Sequence, residues 1–363
     1  YKSDYQKKMK ITSIRSWTAD LGNSKPYTIA FKTVDEVRNA FVLITLENGT
    51  TGIGAGNPSE YVTGESFAQC EAALNENNLQ FLLGRDIREL QQLLFDVWKR
   101  FPSNPAARAA LDIALHDVFT KHLGVPLVKF LGQKINSLPT SNTIGIKSVA
   151  DTLQEAREYG ERGFTVLKVK LGKDLDEDVE RLTKLREEFG KKFIIRIDAN
   201  QGYTSQQTVD FVKRTAHLNI ELIEQPLPAK AVAELKKLPE EIRERIAADE
   251  SLLTPMDALE LAMAPRAAGI FNIKLMKCGG VSQALKIADI GLQANIDLFW
   301  GCNDESIVSI TAALHAAFAC PHTKYIDLDG SLDLMRDVVK GGFILKDGVM
   351  TCSEKPGLGV ELI

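Results

Sequence analysis

The sequence predicts a mixed α/β protein: a modified TIM barrel of the (β/α)7β kind, with an α+β capping domain built from the N-terminal segment and the C-terminal tail. Three observations support this. Short apolar runs alternate with helical patterns over residues 138–330, the runs recur about every 25 residues, and several end on a charged residue. A repeat of this length holds one strand, one loop and one helix, and such parallel units form barrels or open sheets.

The N-terminal segment, which we place at residues 9–130, reads as strands followed by helices. Three strand-like runs cover residues 10–57, and the ENG run at 47–49 between two of them is a hairpin signal. Residues 65–123 then show apolar residues at helical spacing, closed by a glycine with a proline two positions beyond. This order of elements predicts an α+β domain.

Residues 138–330 carry the barrel prediction. Eight strand candidates can be counted between TSNTIGI and YIDLD, with helical patterns between them. Eight strands match a closed barrel. An open doubly wound sheet is the structural alternative, and it would gather its functional residues at one switch point instead of on successive strand ends. Residues 331–363 return to short strand-like runs, and we expect them to pack against the N-terminal domain.

Composition and charge argue against several classes of protein. The formal net charge is -4, which does not suit an electrostatic nucleic-acid surface. No apolar stretch reaches the roughly 18 residues that a membrane span needs. The five cysteines are scattered without a CxxC, and the N-terminal residues lack the apolar core of a signal peptide. We therefore expect a cytoplasmic protein with free thiols and with neither nucleic acid nor membrane as a partner.

Three of the strand-ending charges are carboxylates: Asp198 after FIIRI, Glu224 after IELI and Asp249 after IAA. Taken singly, each could be an ordinary solvated residue of a βα loop. On three successive strands, however, a barrel brings them to one mouth, where close anions repel one another unless a cation lies among them. Oxygen ligands with no histidine at ligand spacing favour Mg²⁺, with Mn²⁺ as a substitute, over zinc.

Lysines stand on either side of these carboxylates. Lys168 and Lys170 form a KxK on one strand and share a face of it, although a solvated edge strand could carry the same motif. Lys274 ends a strand four positions further on, so in a ring of eight it lies opposite Lys170. A base on each face of one carbon suits a racemase or epimerase. Such a base needs a lowered pKa, which we expect from a neighbouring ammonium and from Mg²⁺.

These motifs resemble the enolase superfamily, and within it the muconate-lactonizing subgroup. The resemblance rests on the KxK at 168–170, the Asp/Glu/Asp set and KLMKCGG at 274–280, and it extends over essentially the whole chain through IRIDANQGY, IEQP, ADES and KPGLGVE. Lysine bases with Mg²⁺ are a known pattern of that superfamily. The DLD run at 327–329 resembles the DxD of dipeptide epimerases, as does TGES at 63–66.

The resemblance implies a Mg²⁺-dependent dipeptide epimerase, which moves the α-proton of the C-terminal residue through an enediolate. It implies that Asp198, Glu224 and Asp249 bind one Mg²⁺ per subunit, and that Lys170 and Lys274 are the two acid/base groups. Substrate contacts are implied for Thr143, Lys168, Cys302, Asp327, Asp329 and Lys32. Among them the two DxD aspartates would hold the free α-ammonium, and the KxK lysine would contact the dipeptide carboxylate.

The second side chain of the dipeptide is read, on this resemblance, by capping-domain loops at about residues 23–33 and 57–66, the second of which contains TGES. Members that take L-Ala-Glu place an arginine in the first loop, where this sequence has Lys32, which binds a carboxylate less specifically than a guanidinium does. The neighbouring YTIAF run is apolar, and Asp304 and Glu305 would disfavour a second carboxylate. We therefore expect Ala-Xaa dipeptides with a small, hydrophobic or uncharged polar Xaa. L-Ala-D/L-Glu is the alternative.

Other reactions of the subgroup stay open: N-acylamino-acid racemisation, o-succinylbenzoate synthesis and cycloisomerisation, whose substrates lack a free ammonium. A metal-binding barrel without catalysis is the alternative from another class, but every expected catalytic position is filled. By analogy alone, the resemblance is also compatible with a homo-oligomer.

Overall fold

The computed structural model of this chain describes residues 9–24, 27–29, 32–34 and 36–363, with the backbone alone for 27–29 and 32–34. The expectations placed on the YTIAF run and on the side chain of Lys32 therefore lie outside the described residues. None of the described helices is both long enough and apolar enough to cross a membrane.

The N-terminal segment begins with an antiparallel sheet. The strands of this segment are β1 (Ile11–Asp20), β2 (Tyr27–Ile29), β3 (Lys32–Val34), β4 (Arg38–Leu46) and β5 (Thr51–Gly56). β1, β4 and β5 pair in that order, while β2 and β3 form a separate hairpin. The predicted turn joins β4 to β5: Gly49 takes φ +84°, and the side chain of Asn48 accepts a hydrogen bond from Thr50 N at 3.0 Å. Glycine is the residue for which such a φ costs least.

Six α-helices follow these strands, and the fifth packs on the sheet. They are α1 (Glu60–Thr63), α2 (Phe67–Ala73), α3 (Glu76–Leu79), α4 (Leu90–Arg100), α5 (Pro105–Leu123) and α6 (Leu127–Leu131). α5 packs directly on β5, and the approach is so close that a Cβ on Gly54 would lie only 1.8 Å from Ala110 O. The glycine-rich run in β5 therefore serves close helix–sheet packing. α5 ends at Gly124 in the left-handed conformation (φ +71°), as its sequence signal predicted.

A short strand, β6 (Leu138–Pro139), leads into the barrel. The barrel strands are β7 (Asn142–Ile144), β8 (Val166–Lys170), β9 (Ile194–Asp198), β10 (Ile220–Glu224), β11 (Ile246–Ala248), β12 (Ile270–Ile273), β13 (Asp297–Trp300) and β14 (Thr323–Ile326). They pair in parallel and in chain order. Thr140 forms a parallel bridge with Ile326, and Ser141 N donates to Ile326 O at 3.2 Å. These contacts join the first strand to the last, which confirms the barrel and not the open sheet.

The connections between barrel strands are helical. They hold α7 (Val149–Glu161), α8 (Leu175–Phe189), α9 (Ser205–Arg214), α10 (Val232–Leu235), α11 (Glu240–Arg243), α12 (Pro255–Ala262), α13 (Leu275–Cys278), α14 (Val281–Gln293) and α15 (Ile307–Ala319). Inside the barrel, below the mouth, Leu222, Ala247, Ile270 and Phe299 form a buried apolar layer. The chemistry therefore has to lie above this layer, at the carboxyl ends of the strands.

The C-terminal segment contacts both other parts of the chain. Its strands are β15 (Val339–Gly341), β16 (Phe343–Lys346), β17 (Val349–Cys352) and β18 (Val360–Leu362). β17 pairs with β16 and with β6 at the start of the barrel. On the N-terminal side, Asn23 bridges Leu334, and Leu358 N donates to Asp117 Oδ1 of α5 at 2.8 Å.

A carboxylate of the capping helix also holds the barrel. Asp112 on α5 accepts hydrogen bonds from Val281 N at 2.8 Å and Ser282 Oγ at 2.5 Å, so it caps the N-terminus of α14. A Cβ on Gly280 would lie 2.5 Å from Asp112, which explains the glycine there. This cap therefore ties α5 of the N-terminal segment to a helix of the barrel.

Candidate active site

A cavity of about 1330 Å³ opens at the carboxyl ends of the barrel strands, between the barrel and the capping segment. It is lined by eight of the residues predicted from sequence, namely Thr143, Lys168, Lys170, Asp249, Lys274, Cys302, Asp327 and Asp329. Asp198 and Glu224 are fully buried just beneath it. The structure therefore gathers ten of the eleven predicted site residues, and the side chain of the eleventh, Lys32, is not described.

Lys168 is the centre of the charge network. Its Nζ donates to Asp327 Oδ2 at 2.6 Å and lies 3.1 Å from Glu224 Oε2 and 3.6 Å from Asp198 Oδ2. The approach to Glu224 is an ion pair without hydrogen-bond alignment, since Glu224 Oε2 is buried and makes no hydrogen bond. One ammonium thus ties β8 to β9, β10 and the end of β14.

Lys170 and Lys274 lie on opposite sides of the mouth, because β8 and β12 are four strands apart in the ring of eight. Lys170 Nζ donates to Asp198 Oδ2 at 2.8 Å, and Lys274 Nζ donates to Asp249 Oδ2 at 2.8 Å. Both ammonium groups line the cavity. A planar carbon held between them would present one face to each lysine.

The pKa of Lys274, one of the two predicted proton-transfer groups, differs from the sequence expectation. Burial alone would lower the pKa of Lys274, but the charges of Asp249 and Glu224 outweigh burial and raise it above its usual range. Lys168 behaves in the same way, with Asp327 and Glu224 as its main partners. For Lys274 this direction is opposite to that needed by a base, whereas Lys168 was expected only as a neighbouring ammonium. The reason is that each lysine lies against a carboxylate that the sequence analysis had assigned to a cation.

The three strand-end carboxylates have unequal surroundings. Burial and the charge of Asp198 raise the pKa of Glu224 well above its ordinary value. Burial opposes the ionisation of Asp249, but Lys274 and Lys277 outweigh it, so the pKa of Asp249 is lowered. Asp198 is likewise lowered against burial, by the lysines of the KxK. Lysines therefore stabilise the anionic forms of Asp198 and Asp249, but they do not outweigh burial at Glu224.

This donor set suits a hard divalent cation, although its members are drawn toward lysines and not toward a common point. Among the described residues, no three or more Asp, Glu, His or Cys side chains are already arranged as a metal ligand set. Even so, Asp198 and Glu224 are direct neighbours across β9 and β10, and Glu224 presents a buried oxygen without a hydrogen bond. Lys168 Nζ lies 3.1 Å from this oxygen, and a bound divalent cation would supply a second positive charge beside it.

Two residues that hold these carboxylates were not assigned a role from the sequence. Lys277 is buried and donates to Asp249 Oδ1, to Asp249 O at 2.6 Å and to Asn272 O at 3.0 Å. Asn272 Nδ2 donates to Glu224 Oε1 at 2.8 Å. The position of Lys277 could have been predicted from its spacing. It lies on α13, three residues after Lys274, and one helical turn brings it back to the same barrel mouth.

The two aspartates of the DxD differ. Asp327 accepts from Lys168 Nζ and from Ser141 Oγ, both at 2.6 Å, and Lys168 lowers its pKa against burial. Asp329 accepts from Thr143 N at 2.8 Å through Oδ2, and burial together with the charge of Asp327 raises its pKa to about 7. Asp327 is therefore a fixed anion, while Asp329 titrates near neutrality and faces the cavity.

Cys302 lies beside the DxD. Its thiol donates to Asp327 O at 3.2 Å, and its Sγ is 3.9 Å from Asp329 Oδ1. Burial and the charge of Asp329 raise the pKa of this thiol well above its ordinary value, so it stays protonated. A protonated thiol is a poor nucleophile, which agrees with the sequence assignment of Cys302 as a contact residue.

The capping loop divides into a part that faces the cavity and a part that does not. Tyr61 lines the cavity and accepts a hydrogen bond at 3.2 Å from Gln201 Nε2 of the barrel. Glu65 of the TGES run instead accepts from Ala106 N at the start of α5 and is buried away from the cavity. The family-like TGES run therefore caps a helix, and the residues that face the cavity come just before it.

Two known families of protein domains match this chain. The family described as "Mandelate racemase / muconate lactonizing enzyme, N-terminal domain" matches residues 13–132, and the one described as "Enolase C-terminal domain-like" matches residues 151–363. This chain belongs to the mandelate racemase / muconate lactonizing enzyme family. The match confirms the resemblance drawn from the sequence motifs.

Within the mandelate racemase / muconate lactonizing enzyme family, the chain resembles enzymes named as epimerases. An L-Lys-D/L-Arg epimerase of Desulforapulum autotrophicum is 52% identical over 98% of this chain and 100% of its own. An L-Ala-D/L-Glu epimerase of Bacillus subtilis is 34% identical over 97% of each chain. The crystal structure of a dipeptide epimerase from Methylococcus capsulatus, complexed with Mg and the dipeptide L-Arg-D-Lys, matches with a TM-score of 0.96 at 52% identity, over 97% of this chain and 99% of that one.

Proposed function

We propose that this chain is a Mg²⁺-dependent dipeptide epimerase that inverts the α-carbon of the C-terminal residue in dipeptides with cationic side chains. The observation that carries the proposal is the placement of Lys170 and Lys274 on opposite sides of one cavity, each hydrogen-bonded to a strand-end carboxylate. Two proton-transfer groups that face one carbon from two sides can remove its proton from either enantiomer.

The cation would be held by Asp198, Glu224 and Asp249. Their oxygen-only chemistry supports this assignment, and so does the buried Oε2 of Glu224, which forms an ion pair with Lys168 but accepts no hydrogen bond. When bound, Mg²⁺ would supply a positive charge that stabilises the negative charge developing on the substrate carboxylate. Lys277 keeps Asp249 oriented, since it anchors both the side chain and the backbone carbonyl of that residue.

The lysines would divide the work on the substrate. Lys168, at the centre of the network, would bind the dipeptide carboxylate. Lys170 would take the α-proton from the D-residue, and Lys274 from the L-residue. In each direction the lysine on the other face would return a proton to the same carbon, so no proton is gained or lost overall.

A free α-ammonium would be held at the DxD. Asp329 faces the cavity, is anchored by Thr143 N, and lies next to the fixed anion Asp327. Thr143 and Cys302 line the same corner. This favours substrates with a free amine over the N-acylated amino acids of the alternative racemase reaction.

The wall of the cavity favours cationic side chains. Beyond the strand-end groups and Glu250, which follows Asp249 directly, the described lining residues include seven carboxylates and two lysines: Glu36, Glu60, Asp151, Glu155, Glu158, Asp304 and Asp333 against Lys147 and Lys173. Lys147 lies 2.6 Å from Glu155 Oε2, so part of this charge is balanced, but the excess is negative. Such a wall attracts cations and repels a glutamate side chain.

This proposal replaces the uncharged Xaa that we expected from the sequence. That expectation depended on the YTIAF run, whose side chains are not described, and it gave little weight to acidic residues on α7. Asp151, Gln154, Glu155 and Glu158 share one face of that helix and line the cavity. One relative with 52% identity is named an L-Lys-D/L-Arg epimerase, and a structure with 52% identity is a complex with L-Arg-D-Lys. Both support a preference for cationic side chains.

A matched set of dipeptides tests the proposal. Purified protein with Mg²⁺ would be incubated in D₂O with L-Lys-L-Arg, L-Arg-L-Lys, L-Ala-L-Ala and L-Ala-L-Glu, and with N-succinyl-L-Arg as a comparator that lacks the amine. Deuterium at the α-carbon, followed by NMR, reports proton transfer. We expect uptake and inversion at the C-terminal residue of the two cationic dipeptides, with the highest kcat/KM among the five compounds.

Each other result has a distinct meaning. Uptake with L-Ala-L-Glu above the cationic dipeptides would overturn the side-chain specificity and leave the reaction intact. Uptake with N-succinyl-L-Arg alone would favour N-acylamino-acid racemisation. No uptake with any of the five would overturn the function as proposed.

A further inference from the structure

We propose that Glu250 is a fourth acidic group of the cation site, which strengthens the binding of the divalent cation from beside the three strand-end carboxylates. The inference rests on the proposed function, because that function supplies the cation. It concerns a residue that the sequence motifs contain, within ADES, but to which neither the motifs nor the resemblance assigned a role.

The geometry of Glu250 sets it apart from other buried glutamates. It follows Asp249 directly at the end of β11, lines the cavity, and is only 7% exposed. Its Oε2 is buried and makes no hydrogen bond. Glu250 therefore borders the cavity with one buried carboxylate oxygen that has no hydrogen-bond partner.

An unpartnered buried carboxylate is unfavourable unless a positive group meets it. The charges of Asp249 and Asp198 act on Glu250, which places it within the field of two of the three proposed ligands. Lys274 acts on it in the favourable sense, but that lysine already donates to Asp249 Oδ2 at 2.8 Å. A divalent cation among these carboxylates would offset the repulsion on Glu250 as well as on the ligands themselves.

A cationic side chain of the dipeptide is the other positive group that could pair with Glu250 Oε2. The neighbourhood favours the metal ion, because Glu250 follows Asp249 directly and the charges of Asp249 and Asp198 act on it. The acidic residues of α7 line a different part of the wall. The two occupants are separated by an experiment that contains no dipeptide.

Binding of Mn²⁺ would be titrated by electron paramagnetic resonance on the intact protein, with Mg²⁺ as a competitor and without substrate. Outer partners of metal ligands typically change affinity 10- to 100-fold, so we expect Glu250→Gln to raise the Kd for Mn²⁺ about tenfold. Glu305→Gln is the matched control. Glu305 is also a buried glutamate whose pKa is raised to about 7, but it accepts a hydrogen bond from Asn303 N at 2.8 Å and does not line the cavity. We expect its variant to bind Mn²⁺ as the wild type does.

Glu250→Ala provides a second variant in case the amide packs differently, and it should weaken Mn²⁺ binding at least as much as Glu250→Gln. If the wild type binds Mn²⁺ and both Glu250 variants bind it equally well, the inference is overturned while the proposed function stands. The same holds if only the KM for L-Lys-L-Arg changes, which would assign Glu250 to the substrate. If the wild type itself binds neither metal ion, the cation site of the proposed function fails first.

Discussion

Lys168 Nζ donates a hydrogen bond of 2.6 Å to Asp327 Oδ2, which joins the second barrel strand to the residue just after the last. Both groups are buried, and Ser141 Oγ holds the other oxygen of Asp327 at 2.6 Å. The first aspartate of the DxD is therefore part of the framework that positions Lys168. The second aspartate, Asp329, accepts a hydrogen bond from the backbone N–H of Thr143 and has a pKa raised to about 7. The two aspartates should respond differently to the same substitution.

Asp327→Asn should destabilise the protein. Removing one partner of a buried ion pair leaves Lys168 with an uncompensated charge, and such changes cost about 3 to 5 kcal/mol. Glu224 and Asp198 still lie near Lys168, so we expect the lower end of that range. Urea unfolding at pH 7 measures the difference in the free energy of unfolding. An unchanged free energy of unfolding would show that the pair does not contribute to the framework.

Asp329→Asn should stabilise the protein above pH 7. The folded state holds the pKa of Asp329 at about 7, above the ordinary value of 3.8, so ionisation costs stability as pH rises from about 4 to 7 and the cost is constant above that. Asparagine removes this cost. We expect a gain on the order of 2 kcal/mol at pH 8, since part of Asp329 faces the cavity, and almost none near pH 4. A variant less stable than wild type at pH 8 would contradict this, and Asp327→Asn serves as the contrasting control.

Lys170→Ala should separate proton exchange from inversion. With Lys274 still present, the L-residue of L-Lys-L-Arg should exchange its α-proton for deuterium, while inversion falls by about 10³-fold because no acid remains on the other face. Lys274→Ala should show the mirror result, with exchange of the D-residue retained. NMR of both diastereomers in D₂O measures the two rates separately. Equal loss of exchange for both diastereomers in either variant would refute one base per face.

Ionic strength should affect cationic dipeptides more than neutral ones. The negative excess on the cavity wall acts over distances that salt screens, with a Debye length of about 30 Å at 0.01 M and about 10 Å at 0.1 M. We expect kcat/KM for L-Lys-L-Arg to fall several-fold over that range, and kcat/KM for L-Ala-L-Ala to change little. Parallel steady-state assays at fixed Mg²⁺ test this. An equal response of both substrates would remove the electrostatic argument for cationic specificity.

Much of the site was predictable because strand periodicity places it. Asp198, Glu224 and Asp249 end consecutive strands, so a closed barrel has to bring them to one mouth, and Lys168 follows by sharing a face with Lys170. The partners of these residues were not predictable in this way. Lys277 lies on a short helix, where a change of one residue in the turn would point its ammonium elsewhere.

In the capping segment, too, the sequence pattern did not predict which residues face the cavity. TGES resembles a family pattern, and the sequence analysis placed it with the loops that read the second side chain. In the structure Glu65 caps α5 at Ala106 N, and the cavity is faced by residues a few positions earlier, such as Tyr61. A local pattern does not say which of two neighbouring surfaces a loop residue will meet, because that depends on how the loop crosses between domains.

The sequence by itself determined the barrel, the order of its charged strand ends and the chemical type of the site, because strand–helix periodicity and residue type are properties of the chain read in order. Only the tertiary structure decided how the charges are shared. It pairs Asp327 with Lys168 and leaves Asp329 to titrate near neutrality. It also leaves one oxygen of Glu250 unpaired against the proposed cation site. The physical reason is that pKa values and pairing depend on burial and on distances of about 3 Å between residues far apart in sequence, which strand order alone cannot specify.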